Sequence, residues 1–256
     1  MSTFDLFKLD GKVALVTGGG SGLGKQIVEA LADAGCSIAI CSRKIENCQA
    51  TVSELKNLGI NANAYRCDIS DEEEVIELVS NVIRDFGTID ILINNSGTTW
   101  GASVEEMPLS AWEKVFKVNS TGTFLMCREV GKWMVKNKAG KIINISSVAG
   151  LKAEPPEILN AIGYSSSKAA VLHFTKDLAR KWAQHNIYVN AIAPGFFPTK
   201  MTKAVLEKKL DQIINKNPLK RVGDSEALKG AVVYLASSAS DFVTGQVITV
   251  DGGSSL

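Results

Sequence analysis

Tyr164 and Lys168 stand four residues apart in Gly163-Tyr164-Ser165-Ser166-Ser167-Lys168. On a helix that spacing puts both side chains on one face. A phenol titrates near ~10, too high for easy proton transfer at neutral pH. An ammonium a few ångströms away favours the phenolate and lowers that value. The pair could therefore serve as a general acid or base and its tuner. The plainer alternative is a half-buried tyrosine beside a surface lysine, because Tyr-x-x-x-Lys is a loose pattern.

A second stretch has chemical potential. Thr17-Gly18-Gly19-Gly20-Ser21-Gly22-Leu23-Gly24 follows the short apolar run Val13 to Thr17 and precedes a helical pattern. Glycines between a strand and a helix let the backbone approach a pyrophosphate, and the helix N-terminus points at it. The spacing of Gly18, Gly22 and Gly24 is looser than G-x-G-x-x-G.

The elements that must position these residues follow from periodicity. Strands are expected at Val13–Thr17, Ser37–Cys41, Asn61–Cys67, Ile89–Ile93, Lys141–Ile145, Ile187–Ala193 and Gln246–Val250. Helices are expected at Gly22–Ala34, Glu46–Leu58, Asp71–Phe86, Ser110–Asn137, Tyr164–Gln184, Thr202–Lys216 and Ser225–Ala236. Ser110 is the expected N-cap of the long fourth helix. Regular alternation of strand and helix implies a parallel sheet covered on both faces. The fold class is therefore α/β, a doubly wound, Rossmann-like parallel sheet. No linker, repeat or low-complexity segment interrupts residues 1–256, which reads as a single domain.

Composition sets bounds. The 256 residues are 45% hydrophobic and 21% charged, as in an ordinary globular chain. A net charge of +1 gives no reason to expect nucleic acid. No apolar run approaches a membrane span of ~18 residues. Met1 to Asp10 carries acidic residues and lacks a signal peptide's apolar stretch. Cys36, Cys41, Cys48, Cys67 and Cys127 form no C-x-x-C and have no histidine cluster nearby, so no metal site is expected. They read as small buried hydrophobes in a reduced, cytoplasmic protein. His173 and His185 have no Ser or Cys partner at a readable spacing.

Together these features resemble the short-chain dehydrogenase/reductase family. The resemblance rests on T-G-x-x-x-G-x-G, Asn94-Asn95-Ser96-Gly97, Asn119, Ser147 and Tyr164-x-x-x-Lys168, in that order. It runs from about Leu9 to Gly253. Ser96 departs from the family's usual alanine. The resemblance implies hydride transfer between a nicotinamide and a carbonyl, with Tyr164 exchanging a proton with the substrate oxygen. It implies that Ser147 hydrogen-bonds that oxygen, with Ser146 as the other candidate. It further implies that Lys168 lowers the tyrosine pKa and holds the nicotinamide ribose, and that Asn119 anchors a water.

The same resemblance places the cofactor along Gly18, Ser21, Gly22, Leu23, Gly24 and Asn95. Ser42 stands where NAD-preferring relatives carry an acid, and Arg43 and Lys44 follow it. A guanidinium grips a 2′-phosphate that an Asp would repel, so NADP(H) is the expected cofactor. Asp68-Ile69 resembles the adenine contact, although Asp68 could equally cap a helix. Pro194-Gly195-Phe196-Phe197-Pro198-Thr199 resembles the segment that holds the carboxamide, through Pro194, Gly195, Phe197 and Thr199.

The resemblance implies a small ketone or alcohol as substrate. Its walls are expected in Thr98–Trp100, Leu151–Ile162 and Phe196–Leu206, with Trp100, Leu151, Ile158, Phe196 and Phe197 making the mouth apolar. Two groups within the family look similar, the 3-oxoacyl-thioester reductases and the gluconate 5-dehydrogenases. Lys152 is a candidate partner for a sugar-acid carboxylate. Lys132, Lys136, Lys138 and Lys141 are a candidate docking patch for an acidic carrier protein. A catalytically silent dinucleotide sensor is the alternative from another class. Apolar residues on more than one face of the long helices, together with the resemblance, imply a homotetramer.

Overall fold

The structure is a computed structural model that describes residues 2–256; Met1 of the acidic N-terminal segment lies outside them. Seven strands form one parallel sheet in the order β3-β2-β1-β4-β5-β6-β7. They are β1 Val13–Thr17, β2 Ser37–Ser42, β3 Ala62–Arg66, β4 Ile91–Asn94, β5 Gly140–Ile145, β6 Ile187–Pro194 and β7 Val247–Val250. The helices are α1 Gly22–Asp33, α2 Ile45–Asn57, α3 Glu72–Phe86, α4 Leu109–Phe116, α5 Gly122–Asn137, α6 Ile162–Trp182, α7 Lys203–Lys216 and α8 Lys229–Ala236.

β1 and β4 are buried along their whole length, as strands covered on both faces must be. On one face Ile27 and Leu31 of α1, Val52 of α2 and Val232 of α8 share one core cluster with Ile38 and Ile40 of β2. On the other, Leu78 of α3, Met126 and Val130 of α5 and Leu178 of α6 meet Leu15 and Leu92. Truncating a fully buried side chain such as Leu31 to alanine costs about 2–5 kcal/mol. A satellite cluster of Ile158, Leu206 and Ile213 packs α7 against the loop that precedes α6.

The chain builds β1, β2 and β3 outward on one side, then returns to add β4 beside β1. That reversal opens a crevice beyond the C-terminal ends of β1 and β4. Both flanking connections are well specified locally. Asp71 caps α3 by accepting from Glu73 N at 3.0 Å and Glu74 N at 3.1 Å. Gly87 stops α3 in the left-handed region at φ 81°.

Two local expectations need correction. The fourth helical region begins at Leu109 with Pro108 at the cap position, and Ser110 lies inside the first turn. Proline's fixed φ sets up that start without a side-chain cap. The region also divides into α4 and α5 around a π-helical turn at Lys117–Thr121. That turn carries the buried Asn119.

Candidate active site

A cleft of about 800 Å³ runs along the C-terminal edge of the sheet. Gly18, Ser21, Gly22, Leu23 and Gly24 line it from the loop between β1 and α1. Gly18 has φ 68°, a conformation that favours glycine. A Cβ on Gly24 would stand 2.1 Å from the Gly18 carbonyl oxygen, so a side chain there would push α1 off the loop. Ser21 precedes α1 with no side-chain capping bond, which leaves the helix N-terminus open to an anion.

β4 fixes this loop from its other side. Asn95 N and Ser96 N each donate to Thr17 Oγ1 at 3.0 Å, and Asn95 Nδ2 donates to Thr17 O at 3.0 Å. Thr17 was not singled out as a site residue. Its signal was a hydroxyl ending an otherwise apolar run.

Ser42, Arg43 and Lys44 line the cleft after β2, and Asp68 and Ile69 line it after β3. The Ser42 hydroxyl donates to Lys44 O at 2.6 Å and so shapes the turn. Arg43 leans toward Asp68 at 3.9 Å and stays exposed. Burial pushes the Asp68 carboxyl up, but bonds from the Ser70 hydroxyl and amide, with the Arg43 charge, bring it below its ordinary value. Asp68 borders the cleft and accepts from the Ser70 amide and hydroxyl, while the cap of α3 is Asp71 and not Asp68.

The reacting end lies where β5 meets α6. Ser147, Tyr164 and Lys168 line the cleft together. Lys168 Nζ is buried, donates to Ile145 O at 2.8 Å, and lies 5.8 Å from the centre of the Tyr164 ring. Ser146 donates its hydroxyl to Lys168 O at 2.8 Å and holds the helix. Ser147 instead stands beside the phenol. Burial raises the Tyr164 pKa, and the Ser147 hydroxyl pulls it the other way. The phenol is therefore protonated at neutral pH. The shifts on the phenol in this geometry come from burial and from the Ser147 hydroxyl, and the lowering by Lys168 that the resemblance implies is not among them.

Asn119 lies directly behind this group and not on the cleft wall. Its Oδ1 accepts from Thr98 N at 2.8 Å. Its Nδ2 donates to Thr98 O and to Ser167 Oγ, both at 2.9 Å. Ser167 then donates to Tyr164 O at 2.7 Å, a link that the run of serines concealed. Pro194, Gly195, Phe197 and Thr199 line the cleft after β6. Thr202, at i+3, holds that turn through Thr199 N at 2.9 Å. His173 and His185 are absent from the cleft lining. Among the described residues no group of three or more His, Cys, Asp or Glu could hold a metal.

The structure places the residues expected at the substrate end as follows. Trp100 and Leu151 are exposed, and Ile158 packs under α7, so of the five apolar candidates only Phe197 lines the cleft. Lys152 pairs with Glu154 at 3.2 Å and bonds Ser254 O. Lys132, Lys136 and Lys138 sit near the C-terminal end of α5, where β5 begins. That is the sheet edge opposite the cleft. Lys141 is occupied by Asp241 at 2.8 Å and by the Tyr188 ring at 4.0 Å.

Burial lowers the Lys168 pKa from 10.5 to about 8. A lysine whose folded pKa is depressed destabilises the fold wherever it must stay charged. The cost is full below pH about 8 and fades as pH rises through the unfolded value near ~10.4. Lys168→Met should therefore raise the stability of the ligand-free protein at pH 7 by about 2 kcal/mol, and by little at pH ~10.5. Urea unfolding at the two pH values measures this. A variant no more stable than the parent at pH 7 would contradict it.

Residues 12–210 match the family described as short chain dehydrogenase. A 3-oxoacyl-[acyl-carrier-protein] reductase of Thermotoga maritima is 37% identical over 96% of this chain and 98% of that protein. A 5-keto-D-gluconate 5-reductase of Escherichia coli is 38% identical over 97% of each. A crystal structure of a gluconate 5-dehydrogenase from Burkholderia cenocepacia in complex with NADP and tartrate superposes with a TM-score of 0.94, at 34% identity over 98% of both chains. The sheet order, the glycine loop and the grouping of Ser147, Tyr164 and Lys168 agree with those matches, and the chain belongs to the short-chain dehydrogenase/reductase family.

Proposed function

We propose that this chain is an NADP(H)-dependent oxidoreductase that reduces a ketone to a secondary alcohol, with a 3-oxoacyl thioester as the substrate class. The observation that carries the reading is the Tyr164 phenol, held protonated by burial at the cleft wall beside Ser147 and Lys168. A protonated phenol suits donation to a carbonyl oxygen as negative charge develops there. Ser147 orients that oxygen. The Lys168 ammonium favours the phenolate left behind. Asn119 fixes Thr98 and Ser167 around them.

The cleft fits the cofactor. The backbone of the glycine loop and the open N-terminus of α1 suit a pyrophosphate. The absence of an acid at Ser42 and the presence of Arg43 and Lys44 suit a 2′-phosphate. The gluconate 5-dehydrogenase neighbour is a complex with NADP, which supports the same choice. When bound, the reduced nicotinamide supplies the hydrogen and two electrons that the carbonyl carbon takes up.

The relatives' names divide between acyl and sugar-acid ketones at nearly equal identity. The state of Lys152 favours the first. A carboxylate substrate needs a free cation, and this lysine already has Glu154 and Ser254 as partners. The sugar-acid reading retains the naming of the Escherichia coli relative in its support.

We also infer a homotetramer assembled in part through the long helices. Phe124 of α5 is exposed, with Phe174 of α6 edge-on at 6.5 Å, and Phe242 is fully exposed. Apolar rings placed together at a surface mark association sites.

NADPH oxidation with an acetoacetyl thioester should proceed, at least about tenfold faster than with NADH. Tyr164→Phe should lower kcat by about 10²–10⁴. Turnover of 5-keto-gluconate alone would transfer the assignment to the sugar-acid group. NADPH binding with no ketone turnover on a wider panel would favour the silent sensor. Light scattering should report four chains, and a stable monomer would overturn the assembly.

A further inference from the structure

Lys152 lies at the start of the loop that joins Ser147 to Tyr164. Its amide donates to Val148 O at 3.0 Å, which roots it in the turn after the catalytic serine. Its side chain is half-buried, and Glu154 beside it is more so, at 13% exposed. The ammonium meets the Glu154 carboxylate at 3.2 Å and donates to the carbonyl of Ser254, 102 residues away.

Ser254 is presented by a built turn. The Asp251 carboxylate accepts from Gly253 N at 2.9 Å, Ser255 N at 2.8 Å and Ser254 Oγ at 3.2 Å. The Asp251 carbonyl accepts from Asn217 Nδ2 at 2.8 Å. Gly195, in the segment after β6, donates from its amide to Val250 O at 3.0 Å. The C-terminal turn is thus fastened to Gly195 of the cleft wall on one side and to Lys152 on the other. The far end of the same loop is held separately, by Ala102 N donating to Asn160 O at 3.0 Å and by Ile158 under α7.

We propose that Lys152 is a positioning residue that clasps the C-terminal turn to the loop between Ser147 and Tyr164, and that it does not bind a substrate charge. Its charge is neutralised by Glu154, so none remains for a carboxylate. Its reach to Ser254 couples this loop to the C-terminal turn. Removing it frees the near end of the loop while the cofactor segments keep their own bonds.

The kinetic arm rests on the ketone-reductase reading; a second arm does not. Lys152→Met should raise KM about fivefold or more for a neutral acetoacetyl thioester and for 5-keto-gluconate alike, with kcat and the NADPH Kd nearly unchanged. Lys152→Arg should restore KM. Deleting residues 254–256 should mimic Lys152→Met, and combining the two should add little. Amide hydrogen exchange on the ligand-free protein should show residues 151–157 losing protection in Lys152→Met and in the truncated chain, but not in Lys152→Arg. A KM rise confined to the carboxylate-bearing ketone would overturn the proposal in favour of a substrate cation. Unchanged exchange in Lys152→Met would overturn it whatever the activity. Absence of all turnover with the exchange change intact would support the clasp and remove the reductase reading instead.

Discussion

The hydrogen bond from Lys168 Nζ to the carbonyl of Ile145 is the contact on which the reacting end depends. It joins the second turn of α6 to the last residue of β5. A buried ammonium is tolerated only with a partner, and Ile145 O supplies one. Because Tyr164 is one helical turn earlier and Ser147 two residues later, that bond fixes all three groups relative to each other. Ser146 repeats the tie in the opposite direction by donating to Lys168 O. Two bonds between the same two elements leave the tip of β5 little freedom to slide along the helix.

A buried polar layer supports this junction from below. Asn94 Nδ2 donates to Asn144 Oδ1 at 2.9 Å, and Asn144 Nδ2 donates to Thr175 Oγ1 at 2.9 Å. The chain of contacts runs from β4 through β5 to α6, parallel to the Lys168 bond. Polar groups inside a core cost stability unless they are paired, and paired ones specify a unique arrangement. The charge on Lys168 works the same way in opposition: it weakens the ligand-free fold and equips the cleft. The Asn119 side chain adds a third tie, linking the loop after β4 to α6.

Much of this was legible before any coordinates. The apolar run Val13–Thr17 and the glycines after it located β1 and the cofactor loop, because a strand covered on both faces and a turn needing open backbone both leave marks on composition. The spacing of Tyr164 and Lys168 survived because a helix translates sequence distance directly into a shared face. Ser146 and Ser147 are neighbours in sequence, and the structure separates them by what each hydroxyl faces. The partners of Lys152 were hidden for a reason of range. One of its partners is two residues on, but the other is at position 254, and no local pattern connects them. The π-helical turn at Asn119 was invisible because the apolar period of α4 and α5 continues through it. The docking lysines failed on geometry: a helix antiparallel to its strands ends at the edge away from the crevice.

The central claim is that a protonated phenol, with a charged lysine beside it, delivers the proton during carbonyl reduction. The pH dependence of kcat/KM for NADPH-dependent reduction of an acetoacetyl thioester tests this most directly. The account predicts a level region from about pH 6 to 7.5 and a decline as pH rises through about 8, where Lys168 loses its charge. A rate that climbs with pH across that range would contradict it, because it would show that the reducing enzyme needs a deprotonated group.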